Sequence, residues 1–193
     1  MTNNRLLIAV DVETTGLNPA VHEVIEIGAL VCDLNGQRIG GKPFEQKILP
    51  EAIDRAYPPS LKWNGYSEGV WAQEAVYATE AVNAFLEWVA TLVVDYAEKP
   101  LLMANSIKFD GDFIEQLFSA AGRNWRDYFD RHLMDIPSMA LVLGIPLLSA
   151  RKIIPALGLV DEPMPHRAGN GAKMVLQQFR ALRQMARSVQ EAA

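Results

Sequence analysis

The chain has a single cysteine, Cys32, among its 193 residues. No intramolecular disulfide can form, which excludes a small disulfide-stapled fold. Cys32 closes the apolar run Ile25–Val31 and reads as a core thiol. Long apolar runs are lacking too. Charges interrupt every stretch well before the roughly 18 residues of a membrane span. The opening Met1-Thr2-Asn3-Asn4-Arg5 shows no long apolar signal region, so a cytoplasmic protein with no membrane association is expected. Positive charge is in deficit: 18 Lys and Arg stand against 23 Asp and Glu, with a net charge of −5 and a pI near 5.2. That argues against a non-specific nucleic-acid coat protein, whose affinity comes from basic side chains. It leaves room for an enzyme whose positive potential is supplied by bound cations. Low-complexity tracts, internal repeats and linkers are also absent. Half of the residues are apolar, enough for one full core, so residues 1–193 are expected to form a single domain.

The apolar pattern predicts strands over 5–12, 24–32 and, less regularly, 37–49, paired as an antiparallel meander with a turn at Gly36. Residues 50–69 read as irregular, with Pro58-Pro59 and Asn64-Gly65 as breakers. A helix with Thr79 as N-cap carries Val82, Phe85, Leu86, Val89 and Val93 on one face, and Pro100 ends it. A short buried strand over 101–104 precedes a helix from near Asp110 to Gly122. A short strand at 132–134 then leads into a helix ending at Leu143-Gly144. Ser149 opens a further helix, bent or shortened by Pro155. The last helix, from near Asn170, presents Val175, Phe179, Leu182 and Ala186 on one face, and Arg180, Arg183 and Arg187 on a solvated or phosphate-contacting one. Strands followed by alternating strands and helices indicate an α/β domain with a mixed sheet.

The segment with most chemical content is Asp11-Val12-Glu13-Thr14-Thr15-Gly16, at the end of the apolar run Leu6–Val10. Residues i and i+2 of a strand share a face, so Asp11 and Glu13 point the same way. Desolvated carboxylates are costly unless a cation meets them, and a divalent metal with oxygen ligands is the natural candidate. On its own such a pair is more commonly a solvated strand end. The downstream motifs change that weighting.

Together, Asp11-Val12-Glu13-Thr14-Thr15-Gly16-Leu17, Val24-Ile25-Glu26-Ile27-Gly28-Ala29, Asn105-Ser106-Ile107-Lys108-Phe109-Asp110, Asp135–Ala140 and His166-Arg167-Ala168 resemble the ordered motifs of the DEDDh 3′–5′ exonucleases. These are the DnaQ-like and RNase T-like group. The resemblance spans almost the whole chain, and Leu61–Tyr66 is similar to phage and bacterial members. It implies a ribonuclease H-like fold, with a mixed five-stranded sheet flanked by helices. One departure stands out: the family's His-x4-Asp ends here at Gly171, so the fourth metal-binding carboxylate is missing. Asn170, Asp161 and Glu162 read as out of register for that role.

The resemblance further implies hydrolysis of phosphodiester bonds in single-stranded nucleic acid from a 3′ end, with two Mg²⁺ or Mn²⁺ ions about 3.5–4 Å apart. Asp11, Glu13 and Asp110 would be the catalytic metal ligands and His166 the general base. Thr14, Thr15, Gly16, Leu17, Asn105 and Phe109 would bind substrate. The rival expectation is a catalytically inactive exonuclease-fold protein that binds nucleic acid or a protein partner. A polymerase-bound proofreading subunit ranks lower. Outside the motifs, His22 and His132 read as structural or surface residues, Glu26 as a structural hydrogen-bonding group, and Asp135 as chiefly structural. DNA versus RNA and the oligomeric state have no signature in the sequence.

Overall fold

A computed structural model describes residues 5–93, 98–146 and 149–191. Five strands form one mixed sheet: β1 Leu7–Thr14, β2 Val24–Cys32, β3 Arg38–Lys47, β4 Leu101–Ala104 and β5 Met134–Asp135, in the order β3-β2-β1-β4-β5. The meander β1-β2-β3 is antiparallel, whereas β4 and β5 add in parallel. The fifth strand is shorter and later than the expected 132–134. The opening residues 1–4, from which a signal region was judged missing, lie outside the described residues, as does the side chain of Val93.

The period of two sorts β1 between two cores. Ile8, Val10 and Val12 pack under α3 (Ala78–Val93) and α4 (Ile107–Ala120). Leu7 and Ala9 pack under α5 (Ile136–Val142), α6 (Ala150–Ala156) and α7 (Ala168–Glu191). Asp11 and Glu13 continue the second row and so emerge toward the start of α7. Gly28, paired with Asp11, lets α7 lie directly on the sheet, because a Cβ there would be 2.2 Å from the Ala168 carbonyl carbon.

Several sequence expectations need correction. Residues 50–69 are largely structured: α1 (Pro58–Asn64) starts on Pro58-Pro59, and α2 (Glu68–Glu74) follows. Proline is suited to the first helical turn, where its missing N–H costs nothing. Gly65, at φ 62°, ends α1 in the left-handed region. Thr79 lies inside α3, and Glu80 accepts the N–H of Tyr77 just ahead of it. The arginines of α7 hold the β2–β3 turn: Arg180 donates to the Gly36 carbonyl at 2.6 Å and Arg187 to the Asn35 side chain at 2.9 Å.

Candidate active site

The carboxyl end of β1 forms the floor of a cleft of about 430 Å³. Asp11 and Glu13 come from the strand itself. Asp110 comes from the first turn of α4, which begins three residues earlier than expected. Asp110 therefore points inward, 4% exposed, instead of capping the helix. His166 and Glu162 line the opposite wall, on the loop before α7. Val12, Thr14, Leu17, Tyr57, Pro59, Ser60, Trp63, Asn64 and Phe109 complete the lining.

The acids repel one another. Burial chiefly raises Asp11 well above the ordinary carboxylate range, and Asp110, Glu13, Glu162 and Glu26 add to it. Glu13 is pushed from 4.5 to about 8, by burial first and then by Glu162 and Glu26, with Arg167 opposing. Glu26 sits directly across the β1–β2 pair from Glu13, a like-charge pairing that destabilises a ladder. Burial also raises Asp110, to about 7, against hydrogen bonds at the Val12 and Ser106 backbone. Among the described residues none of Asp11, Glu13 and Asp110 forms an ion pair with Lys or Arg.

Such a set of buried, mutually repelling carboxylates favours the approach of a cation. Among the described residues no three acidic, histidine or cysteine side chains already converge as a metal cage. The chemistry of the donors still fits a hard divalent ion: grouped carboxylate oxygens, desolvated and without a basic partner. The Glu162 Oε2 atom is likewise buried without a hydrogen-bond partner.

These shifts have a measurable consequence. A carboxyl with a higher pKa in the folded chain than in the unfolded one binds more protons when folded, so stability falls as pH rises between the two values. For Glu13 that window runs from 4.5 to about 8. In chelator, the melting temperature is expected to decline from about pH 5 to about pH 8. Glu13→Gln should flatten the decline. A melting temperature that climbs with pH across this window would contradict the buried-carboxylate picture.

The substrate-binding residues expected from the sequence divide. Leu17, 68% exposed, and Phe109, packed on Phe113, stand at the cleft with Thr14. Thr15 and Gly16 do not line it. Thr15 is buried, its backbone N–H donating to the Glu23 carbonyl and its hydroxyl accepting the Glu23 N–H. The close approach that Gly16 permits is to the His22 ring, which a Cβ would meet at 2.2 Å, and not to a ligand. Asn105 is also outside the lining, with its Oδ1 buried and unpartnered. Asp135 is committed elsewhere: it caps α5 through the N–H and hydroxyl of Ser138. Glu26 makes the structural hydrogen bond expected of it, to the Ala168 backbone, while its Oε2 lies 3.8 Å from Arg167 without a hydrogen bond.

Gly171 lies against the floor of the site. A Cβ there would be 2.3 Å from Asp11 Oδ2, so the Asp11 carboxylate occupies the space of the missing side chain. An aspartate at 171 would have to turn Asp11 aside and is not the low-cost replacement that helix position alone implies.

Sequence reasoning missed Glu162, Tyr57 and Trp63. Trp63 stacks on His166 at 4.7 Å between ring centres, and its carbonyl accepts the His166 N–H at 3.2 Å. Asn64, behind it, ties α1 to β1 by donating to the Thr14 carbonyl. A proline pair ahead of Leu61-Lys62-Trp63 and a glycine just after was the available signal for this helix.

Residues 8–179 match the RNase T exonuclease family. The DNA polymerase III epsilon subunit of Buchnera aphidicola (subspecies Schizaphis graminum) is 26% identical over 160 residues, covering 80% of this chain and 59% of that protein. The nuclease domain of 3′hExo, a DEDDh family member solved with rAMP, superposes with a TM-score of 0.78 at 15% identity, covering 96% of this chain and 94% of that one. E. coli exonuclease I in complex with a dA16 oligonucleotide gives 0.76 at 14% identity, with 97% and 42% covered. The chain thus spans about three fifths of the epsilon subunit and under half of exonuclease I. The sheet order and flanking helices are those of the ribonuclease H-like exonuclease fold, and the chain belongs to the RNase T exonuclease family.

Proposed function

We propose that the protein is a divalent-metal-dependent 3′–5′ exonuclease acting on single-stranded nucleic acid. The observation that carries this reading is the pair Asp11 and Glu13 on the floor of a cleft that His166 also lines, with the buried Asp110 behind the lining and near enough to raise Asp11 further. Asp11, Glu13 and Asp110 would hold Mg²⁺ or Mn²⁺, two ions in a fully loaded site. When bound, the metal activates a water and offsets charge on the leaving oxygen. His166 takes the proton of that water, a task suited to a neutral imidazole. The exposed Leu17 and the half-exposed Tyr57, Trp63 and Phe109 give an apolar rim on which terminal bases stack, tolerant of sequence. Arg167 stays out of this work, bonded to the Asn64 carbonyl and lying over Trp71.

The similarity to a polymerase subunit supports a polymerase as a partner. One buried cysteine suits the reducing cytoplasm, and no helix among the described residues is long and apolar enough to cross a membrane. Gly171 favours a second reading, a strand-end binder that has lost catalysis, because three family carboxylates remain where four are usual.

Strands of DNA and RNA labelled at either end, incubated with Mg²⁺ or Mn²⁺, separate the readings. A 5′ label should yield a descending ladder, and a 3′ label should be released at once as mononucleotide. Binding without cleavage would select the second reading, and degradation from the 5′ end would overturn both.

A further inference from the structure

The loop entering α7 folds back so that Glu162 Oε1 lies 2.6 Å from His166 Nδ1. Both side chains are largely withdrawn from solvent, at 13% exposed for Glu162 and 20% for His166. The Trp63 ring stacks on the imidazole at 4.7 Å between ring centres, and the backbone N–H of His166 donates to the Trp63 carbonyl at 3.2 Å, which fixes the chain that carries the ring. Trp63 sets the plane of the ring, and Glu162 sets which nitrogen faces inward.

A carboxylate can only accept a hydrogen bond, so the nitrogen it faces must carry the hydrogen. The other ring nitrogen is then left with its lone pair. We propose that Glu162 is a positioning residue for His166: by accepting Nδ1–H it selects the tautomer in which Nε2 is the proton acceptor. The catalytic consequence rests on the function proposed above, but the tautomer does not.

Glu162 also brings an acid to the site that the family spacing does not provide. It lines the same cleft as Asp11 and Glu13, and among charged groups it acts most strongly on Glu13. Position 171, where the family places its last acid, has no side chain. The acid comes instead from the residue four before the histidine, on the loop that lines the cleft ahead of α7.

The test is long-range ¹H–¹⁵N correlation spectroscopy of the metal-free full chain at about pH 8, where an ordinary imidazole is neutral. Only three histidines are present, His22, His132 and His166, and loss of signals in His166→Asn assigns the third. The wild type should show His166 protonated at Nδ1. Glu162→Ala should move it toward the Nε2–H form that solvent-exposed imidazoles favour. Glu162→Gln, which keeps an acceptor oxygen, should retain the Nδ1–H form. On a labelled strand, Glu162→Ala should lower kcat about 10-fold or more, a part of the roughly 10²–10⁴-fold that general-base catalysis contributes, with KM little changed. Glu162→Gln should recover much of that loss. Thermal melts establish that each variant is folded.

An Nε2–H tautomer in the wild type, or an unchanged Nδ1–H tautomer in Glu162→Ala, would overturn the proposal. So would equal kcat in an active wild type and Glu162→Ala. A wild type with the Nδ1–H tautomer and no cleavage would support the positioning role while counting against the nuclease reading.

Discussion

Asp11→Ala is expected to abolish both strand cleavage and divalent-ion binding, and the isosteric Asp11→Asn is expected to melt higher than the wild type when no metal is present. These opposite effects have one cause. The Asp11 carboxylate is buried among Asp110, Glu13, Glu162 and Glu26, and burial with this repulsion raises its pKa. Without a cation it is a source of strain; with one it becomes the centre of the site. Losses of groups that merely orient metal ligands cost about 10–100-fold in affinity or activity, so removal of a ligand should exceed that. In a domain of this size about 1 kcal/mol moves the melting temperature by about 2–4 °C, which makes the gain in Asp11→Asn visible in a simple melt. Cleavage by Asp11→Ala at the wild-type rate would remove Asp11 from the chemistry. A lower melting point for metal-free Asp11→Asn would show that its carboxylate is satisfied in a way the burial and charge pattern do not contain.

His166→Ala is expected to have the second large effect: kcat should fall by about 10²–10⁴-fold while strand affinity changes little. The imidazole reaches the cleft but supplies little of the apolar rim, which belongs to Leu17, Tyr57, Trp63 and Phe109. Its removal therefore takes away the proton acceptor and leaves the stacking surface, apart from the freed face of Trp63. Single-turnover cleavage and fluorescence-anisotropy binding on the same strand separate the two quantities. Equal losses in rate and affinity would recast His166 as a binding residue held in place by Trp63.

Most of the fold was legible because β1, β2, α3, α4 and α7 carry long apolar periods that local chemistry does not oppose. Leu7 to Val12 alternates between two cores, and that alternation carried Asp11 and Glu13 to one face before any tertiary contact was known. The start of α1 was hidden because proline breaks a helix interior yet opens a first turn, and only the chain around Pro58 decides which applies. The site was legible where its residues fall on regular elements, as Asp11, Glu13 and Asp110 do. It was not legible where the chain folds back. Counting along the sequence put Glu162 out of register, whereas the loop brings it to 2.6 Å from His166. Gly171 read from the sequence only as a missing carboxylate. The contact that closes that position comes from Asp11, 160 residues earlier on β1, and spacing along one element cannot reveal a neighbour on another. Thr15 and Gly16 sit outside the cleft lining for the same reason: their neighbours Glu23 and His22 lie on the far side of the β1–β2 loop.

Calorimetric titration of Mn²⁺ into the metal-free wild type, repeated in buffers of different ionisation enthalpy, tests the central claim most directly. Glu13 is pushed up to about 8 in the absence of metal, so at neutral pH a cation must displace protons from the carboxyl cluster to bind. The expected result is a saturable heat whose size varies with buffer, reporting net proton release that diminishes toward about pH 9 as the cluster ionises unaided. No saturable heat, or binding with no proton release near neutrality, would contradict the assignment of these buried carboxylates as a divalent-metal site.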